Sequence, residues 1–313
     1  LALRARVLRA CREFFFERSV MEVTTPVLGR RGVPDLHIDS LKVDDGAGFR
    51  FLQTSPEYLM KRLLAAGSGP IYQIGPAFRA GESGARHNTE FTMLEWYRPG
   101  LSLTDLADEL CSLFGILAKA QGVDTAVIEH ARYGELFYQR YGVDPHGISD
   151  EALRVLAETH WPLEVAHIEG PVDMGLRNNY LDLLFANGIE PSLASPTLVF
   201  DFPVSQAALA MRGHDANGQQ VARRFEFYVG GMEIANAYDE LTDVSELRSR
   251  MEDNNALRRT RGKPQMVIDE KFLAATSQMP AAVGIALGID RLIQYLAGRA
   301  RLDDVLAFSD HRL

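Results

Sequence analysis

The sequence predicts an α+β fold, a mainly antiparallel sheet flanked by helices. Three observations predict it. Residues 71–97 read as two alternating strands joined by a long charged loop. Phe225 to Tyr238 reads as a second strand pair around Gly230-Gly231, a strong hairpin signal. Val283 to Ile289 alternates strictly between branched and small residues and runs into a helix. Hairpins mixed with helices favour this arrangement over a doubly wound sheet.

The elements follow in order. Val7, Leu8, Cys11, Phe14 and Phe15 repeat at helical spacing, so Leu3 to Arg18 is expected to be an amphipathic helix. Met21 to Thr25 is a short strand stopped by Pro26, and a strand near Ile38 to Val43 precedes a turn at Asp44-Asp45-Gly46. Phe51 to Thr54 is another strand. Thr54 or Ser55 caps a helix over Pro56 to Ala66, since Pro suits the first turn. Leu103 to Ala120 and Val244 to Arg261 read as helices, and Leu198 to Phe202 as a strand. Residues 121–190 look helical, with breaks at Pro145, Gly147 and Pro171, and carry no motif. No linker divides residues 1–313, which are expected to form a single domain.

Bulk properties narrow the function. The chain has 313 residues, 46% hydrophobic and 24% charged, as in ordinary soluble proteins. Its longest nearly apolar run, Met279 to Ile289, is too short to span a bilayer, and the start lacks a secretory apolar core. The chain opens on Leu1 rather than Met, so a few leading residues are expected to precede it. Cys11 and Cys111 sit in helical apolar patterns and are expected as free thiols in a reducing cytoplasm. The eight histidines show no zinc-ligand spacing. A net charge of −9 argues against nucleic acid as the main partner and suits a basic protein segment.

The chemistry concentrates in four places. In the first hairpin, parity puts Phe91, Met93, Glu95 and Tyr97 on one face and Thr92, Leu94 and Trp96 on the other. Two aromatics and a carboxylate, reached through a loop bearing Arg79, Glu82, Arg86, His87 and Asn88, suit a nucleotide beside an amine. His87 reads as a hydrogen-bonding support. In the last strand, Val283, Ile285, Leu287 and Ile289 belong in the core, while Gly284, Ala286 and Gly288 pack under backbone or floor a ligand site. Asp290 is a plausible helix cap, and Arg291 then projects from the first turn, where anions are welcome. Glu233 and Asn236 fall on opposite faces by parity, so both line one cleft only if a bulge lies between them. Glu57, Glu95 and Glu240 could form an acidic set around an ammonium group. A Gly-rich Lys-Ser/Thr phosphate loop and a Gly-x-Ser-x-Gly elbow are both missing.

Together these segments resemble the catalytic domain of class II aminoacyl-tRNA synthetases, the lysyl type in particular. Val23 to Leu28 looks like the family's first motif, associated there with dimerisation. Phe78-Arg79 through Glu95 looks like the second and Gly284 to Arg291 like the third. The chain starts almost at the first motif, with no anticodon-binding barrel before it, and Ala286 stands where the lysyl enzymes usually have glycine. Both features, with Thr54-Ser55-Pro56-Glu57-Tyr58, are similar to the EpmA/PoxA-type ligases, truncated lysyl-synthetase paralogues that attach lysine, preferably (R)-β-lysine, to a lysine of elongation factor P. Gly81 departs from the second motif, which has glutamate there; either Glu82 substitutes, or backbone atoms and Phe91 hold adenine.

The resemblance implies an ATP- and Mg²⁺-dependent ligase that forms an aminoacyl adenylate. Arg79 would hold the α-phosphate and the substrate carboxylate, and Arg291 the γ-phosphate. Glu233 and Glu240 would hold Mg²⁺. Phe91 would stack on adenine, with Ala80, Gly81, Glu82, Asn88, Ile234 and Gly288 around the nucleotide. Ser55, Pro56, Glu57, Glu95, Tyr97, Asn236, Glu240 and Ala286 would read the amino acid. It further implies elongation factor P as protein substrate, a homodimer and a cytoplasmic location, with tRNA disfavoured and no membrane role. A stand-alone lysine-activating or lysyl-tRNA synthetase-like ligase, and a non-catalytic regulatory paralogue, stay open.

Overall fold

The computed structural model describes residues 1–123, 127–168 and 173–313; Pro171, read as a helix break, lies outside them. Twelve strands are β1 (Met21–Glu22), β2 (Leu28–Gly29), β3 (Lys42–Asp44), β4 (Phe49–Leu52), β5 (Ile71–Phe78), β6 (Glu90–Pro99), β7 (Glu129–Arg132), β8 (Thr197–Phe202), β9 (Arg212–His214), β10 (Gln220–Tyr228), β11 (Glu233–Asp239) and β12 (Ala282–Gly288). The main sheet runs β1-β5-β6-β12-β11-β10-β8-β7, with β9 beside β10; a smaller sheet orders β2-β4-β3. Among the described residues only the edge pairs β1–β5 and β7–β8 are parallel. The antiparallel α+β expectation therefore holds.

One sheet face is covered by α1 (Ala2–Glu17), α3 (Leu103–Lys119) and α10 (Ile289–Leu296). Val7, Cys11, Phe14 and Phe15 recur at helical spacing on α1 and are buried there. They join one core with Leu94, Trp96, Phe225, Phe227, Val283, Ile285 and Leu287, the apolar parity of β6, β10 and β12. Trp96 is fully buried, and truncating such a side chain to Ala costs about 3–5 kcal/mol. Ser102 starts α3 through a reciprocal capping box with Asp105.

Residues 121–190 supply a second core. There α4 (Tyr133–Tyr141), α5 (Asp150–His160) and α7 (Met174–Gly188) pack Phe137, Leu153, Leu181 and Leu184 under β8. The remaining helices are α2 (Glu57–Ala65), the short α6 (Pro162–Val165), α8 (Val244–Thr260) and α9 (Glu270–Thr276). With α1, α3 and α10 accounted for, α2, α8 and α9 stand at the open face of the sheet, where Tyr58 stacks on Phe272 at 4.0 Å.

Two local expectations change. The helix after β12 is capped by Gly288, not Asp290. Asp290 is buried inside the first turn, where it accepts from the Thr92 N–H at 2.6 Å and pairs with Arg4. It ties α10 to β6 and α1 instead of capping. Strand β9 and the start of β10 lie in polar stretches, and helix α9, seven residues long, is too short for period reading.

Candidate active site

The uncovered face of the central strands floors a cleft of ≈ 450 Å³. Register builds it. Glu95 on β6 lies across from Ala286 on β12, Ala286 across from Asn236 on β11, and Asn236 across from Glu226 on β10. The next row is Tyr97, Gly284, Tyr238 and Arg224. A Cβ on Gly284 would lie 2.3 Å from Glu240 Oε1 and 2.4 Å from the Tyr97 ring, so only glycine fits beneath them. Between Phe227 and Tyr228 the β10–β11 register slips by one, from Phe227 opposite Ala235 to Tyr228 opposite Glu233. This is the bulge that parity requires, and Glu233 and Asn236 both line the cleft.

One end is cationic. Arg79 leaves β5 with its guanidinium 5.2 Å from the centre of the Phe91 ring, within cation–π range. Its Nε is buried with no acceptor among the described residues. Arg291, on the first turn of α10, donates to the Glu233 carbonyl at 3.0 Å and meets His87 Nε2 at 2.5 Å. Burial and the Arg291 charge depress the His87 pKa, so His87 stays neutral and supports the arginine. Arg86 straps the loop down through Glu190 at 3.1 Å and the Gly231 carbonyl at 3.0 Å. Asn88 is buried and accepts from the Asp310 N–H at 3.0 Å, fixing the C-terminal turn against the loop.

The other end is acidic. Glu95 is buried, accepting from Ser55 Oγ at 2.5 Å and from the Tyr97 hydroxyl at 3.2 Å. Burial, with the Glu57 charge, pushes its pKa up to about 8. Ser55 Oγ also accepts from the Glu57 N–H at 3.0 Å just before α2, whose N-cap is Pro56 rather than Thr54 or Ser55. Glu240 is buried, and its pKa is pushed up to about 8 by desolvation against the pull of Lys61. Lys61 Nζ lies 2.5 Å from Glu57 Oε1 and 2.5 Å from Glu240 Oε2. Asn236, on the cleft wall, has its Oδ1 buried with no hydrogen-bond donor among the described residues.

The sequence matches the family model for tRNA synthetases class II (D, K and N) over residues 1–312. The chain belongs to this class II synthetase family. Curated relatives include proteins named elongation factor P–(R)-β-lysine ligase. Those of Proteus mirabilis and Photorhabdus laumondii are 41% and 42% identical, over 100% and 99% of this chain and 95% and 94% of theirs. That of Haemophilus influenzae (strain Rd) is 41% identical over 98% of this chain and 93% of its own.

Of the residues that the class II resemblance singled out, Ser55, Glu57, Arg79, Glu82, Asn88, Phe91, Glu95 and Tyr97 line the cleft from the first half of the chain. Glu233, Ile234, Asn236, Glu240, Ala286, Gly288 and Arg291 line it from the second. Pro56, Ala80 and Gly81 shape backbone instead. Pro56 is the N-cap of α2, the Ala80 N–H donates to the Asp39 carbonyl at 2.8 Å, and Gly81 has φ +79°, a conformation that favours glycine over glutamate. Glu82, next in the chain, reaches the cleft and pairs with Arg79 at 3.8 Å.

Glu233 opens β11, while Glu240 follows the last residue of that strand, Asp239, and is held at the acidic end by Lys61. Both line the cleft. Glu226 is the neighbour of Glu233: across the hairpin they are diagonal partners, roughly 7–8 Å apart, and both line the cleft. The Glu226 carboxyl, bonded by Arg224 and Tyr228, is pushed up to about 8 by burial, with the Glu233 charge adding and Arg224 opposing. Sequence reasoning missed it because Phe225-Glu226-Phe227 reads as an ordinary strand; its spacing of seven from Glu233 across Gly230-Gly231 was the available signal. Lys61 was not singled out in the sequence, although it follows Glu57 by one turn.

Proposed function

We propose that this protein activates a lysine bearing its second amine one carbon further along, (R)-β-lysine, as an adenylate and transfers it to a lysine side chain of elongation factor P. One observation carries the reading. A single cleft has guanidinium groups with Phe91 at one end and the Glu57, Glu95 and Glu240 carboxylates at the other, with Ala286 in the floor between. The names of the relatives agree with it.

In the first step a carboxylate oxygen of the amino acid attacks the α-phosphorus of ATP, and pyrophosphate leaves. The carboxylate is ionised at neutral pH, so positioning and charge neutralisation carry the rate. Arg79 would hold the α-phosphate and the substrate carboxylate, and Arg291 the γ-phosphate. Phe91 would stack on adenine, bordered by Ala80, Gly81, Glu82, Asn88, Ile234 and Gly288. Ser55, Pro56, Glu57, Glu95, Tyr97, Asn236, Glu240 and Ala286 would take the amines. In the second step the acceptor amine attacks the carbonyl carbon, loses a proton and releases AMP.

Paired carboxylates on one cleft wall suit magnesium, which prefers oxygen ligands, and Glu233 with Glu226 would hold it. The ion would neutralise phosphate charge as pyrophosphate departs. Exposed apolar side chains beside the first motif, Phe16 at 83% and Met21 at 50%, support a homodimer. The reading takes residues 1–313 as one catalytic domain in the cytoplasm, where a translation factor would be met. The acidic balance disfavours tRNA as acceptor. Among the described residues no helix is long and apolar enough to cross a membrane.

The test incubates the protein with ATP, labelled α- or β-lysine, and either elongation factor P or tRNA. Label on elongation factor P, greater with β-lysine, is expected. Label on tRNA, or no pyrophosphate release with any amino acid, would overturn the proposal.

A further inference from the structure

Lys61 is buried at 2% exposure and is absent from the cleft lining, yet it touches two of the carboxylates that line it. It follows Glu57 by four residues on α2, so both side chains share one helix face. Its ammonium donates to Glu57 Oε1 at 2.5 Å. It also lies 2.5 Å from Glu240 Oε2 as an ion pair. Glu240 Oε1 is wedged over Gly284. Glu240 is thus fixed from two sides.

We propose that Lys61 is a positioning residue for amine recognition: its fixed ammonium keeps Glu57 and Glu240 aimed into the cleft and sets the net charge of the pocket to match a substrate with two ammonium groups. The inference rests on the diamino-acid reading above. Three carboxylates, Glu57, Glu95 and Glu240, face one internal ammonium; burial favours the protonated form of Glu95 and Glu240, and two bound ammonium groups would hold all three ionised, with two net negative charges against two positive. A diamino acid supplies two positive charges there and gives its own carboxylate to the arginine end. A monoamino acid would leave one buried carboxylate uncompensated, which is strongly unfavourable. Without Lys61, Glu57 and Glu240 would lose the positive charge that opposes burial, and would hold a proton more tightly against an incoming ammonium. Burial opposes the Lys61 charge, but Glu240 and Glu57 outweigh it and hold the side chain protonated.

The test measures amino-acid-dependent ATP–pyrophosphate exchange for wild type, Lys61→Met and Lys61→Arg, with KM for amino acid and for ATP determined separately. Lys61→Met is expected to raise the amino-acid KM at least ~10-fold while the ATP KM moves less than ~2-fold, and Lys61→Arg to restore it to within about five-fold of wild type. Lys61→Met with an unchanged amino-acid KM, or with both KM values rising together, would overturn the role. If Lys61→Met fails to fold, as judged by loss of binding to a fluorescent ATP analogue, Lys61→Arg alone decides. An amino-acid KM raised ~10-fold or more despite the retained charge would then overturn it, and near-normal recognition would support it. Wild type inactive with every diamino acid would sink the parent reading instead, so the two failures are distinguishable.

Discussion

Ala286 on β12 lies directly across from Glu95 on β6. Its methyl lies between Glu95, buried to 1% exposure, and Asn236 on the other flank. On the proposed reading that methyl would compete for space with an ammonium close to the substrate carboxylate and leave room for one a carbon further on.

Ala286→Gly should therefore shift preference toward α-lysine. One methylene-sized change in a pocket is worth about 1–3 kcal/mol. Pyrophosphate exchange with the two isomers measures the ratio; an unchanged ratio would remove Ala286 from the specificity argument.

Gly284→Ala should damage amine binding and stability together. The added methyl would meet Glu240 Oε1 and the Tyr97 ring well inside contact distance, and overpacking of this kind costs about 1–3 kcal/mol. Thermal unfolding should show a lower Tm, and exchange assays a raised amino-acid KM. A variant with both values intact would contradict the close packing under Tyr97.

Glu95 gives a pH signature with a definite sign. Its pKa is raised from 4.5 to about 8 on folding, mainly by burial. Its contribution to stability is present in full below pH ~4.5 and is lost as pH rises through about 8. The stability gap between Glu95→Gln and wild type should thus move in favour of the variant from pH 6 to 8.5. Amino-acid binding should strengthen over the same range, because ionised Glu95 is the form that holds an ammonium. Denaturant unfolding at several pH values checks the first, and KM against pH the second; flat profiles would contradict a perturbed Glu95.

The carboxylates should separate by function. Glu226→Gln and Glu233→Gln are expected to raise the magnesium concentration needed for half-maximal exchange, each at least ~10-fold. Glu240→Gln should instead raise the amino-acid KM and leave the magnesium requirement alone. A magnesium defect in Glu240→Gln would instead favour Glu233 with Glu240 as the magnesium site.

The strands were legible because parity is binary. Glu95 and Tyr97 had to share a face, and the branched and small sides of β12 divided between core and floor as read. The bulge beside Glu233 could be stated as a requirement but not located, since a one-residue slip leaves no mark in hydrophobic pattern. Glu226 and Lys61 stayed hidden because their meaning comes from partners across a hairpin or on another strand. Asp290 was misread because a buried acid and a cap look alike at a strand–helix junction; only its bond to the Thr92 N–H separates them. Residues 121–190 yielded helices but no chemistry, in keeping with the packing of α4, α5 and α7 into a core of their own.

The most direct measurement is a crystal structure with a non-hydrolysable ATP analogue and (R)-β-lysine bound. The phosphates should lie between Arg79 and Arg291, adenine on Phe91, and both ammonium groups among Glu57, Glu95 and Glu240. Nucleotide bound away from the two arginines, or amines directed away from those carboxylates, would contradict the account.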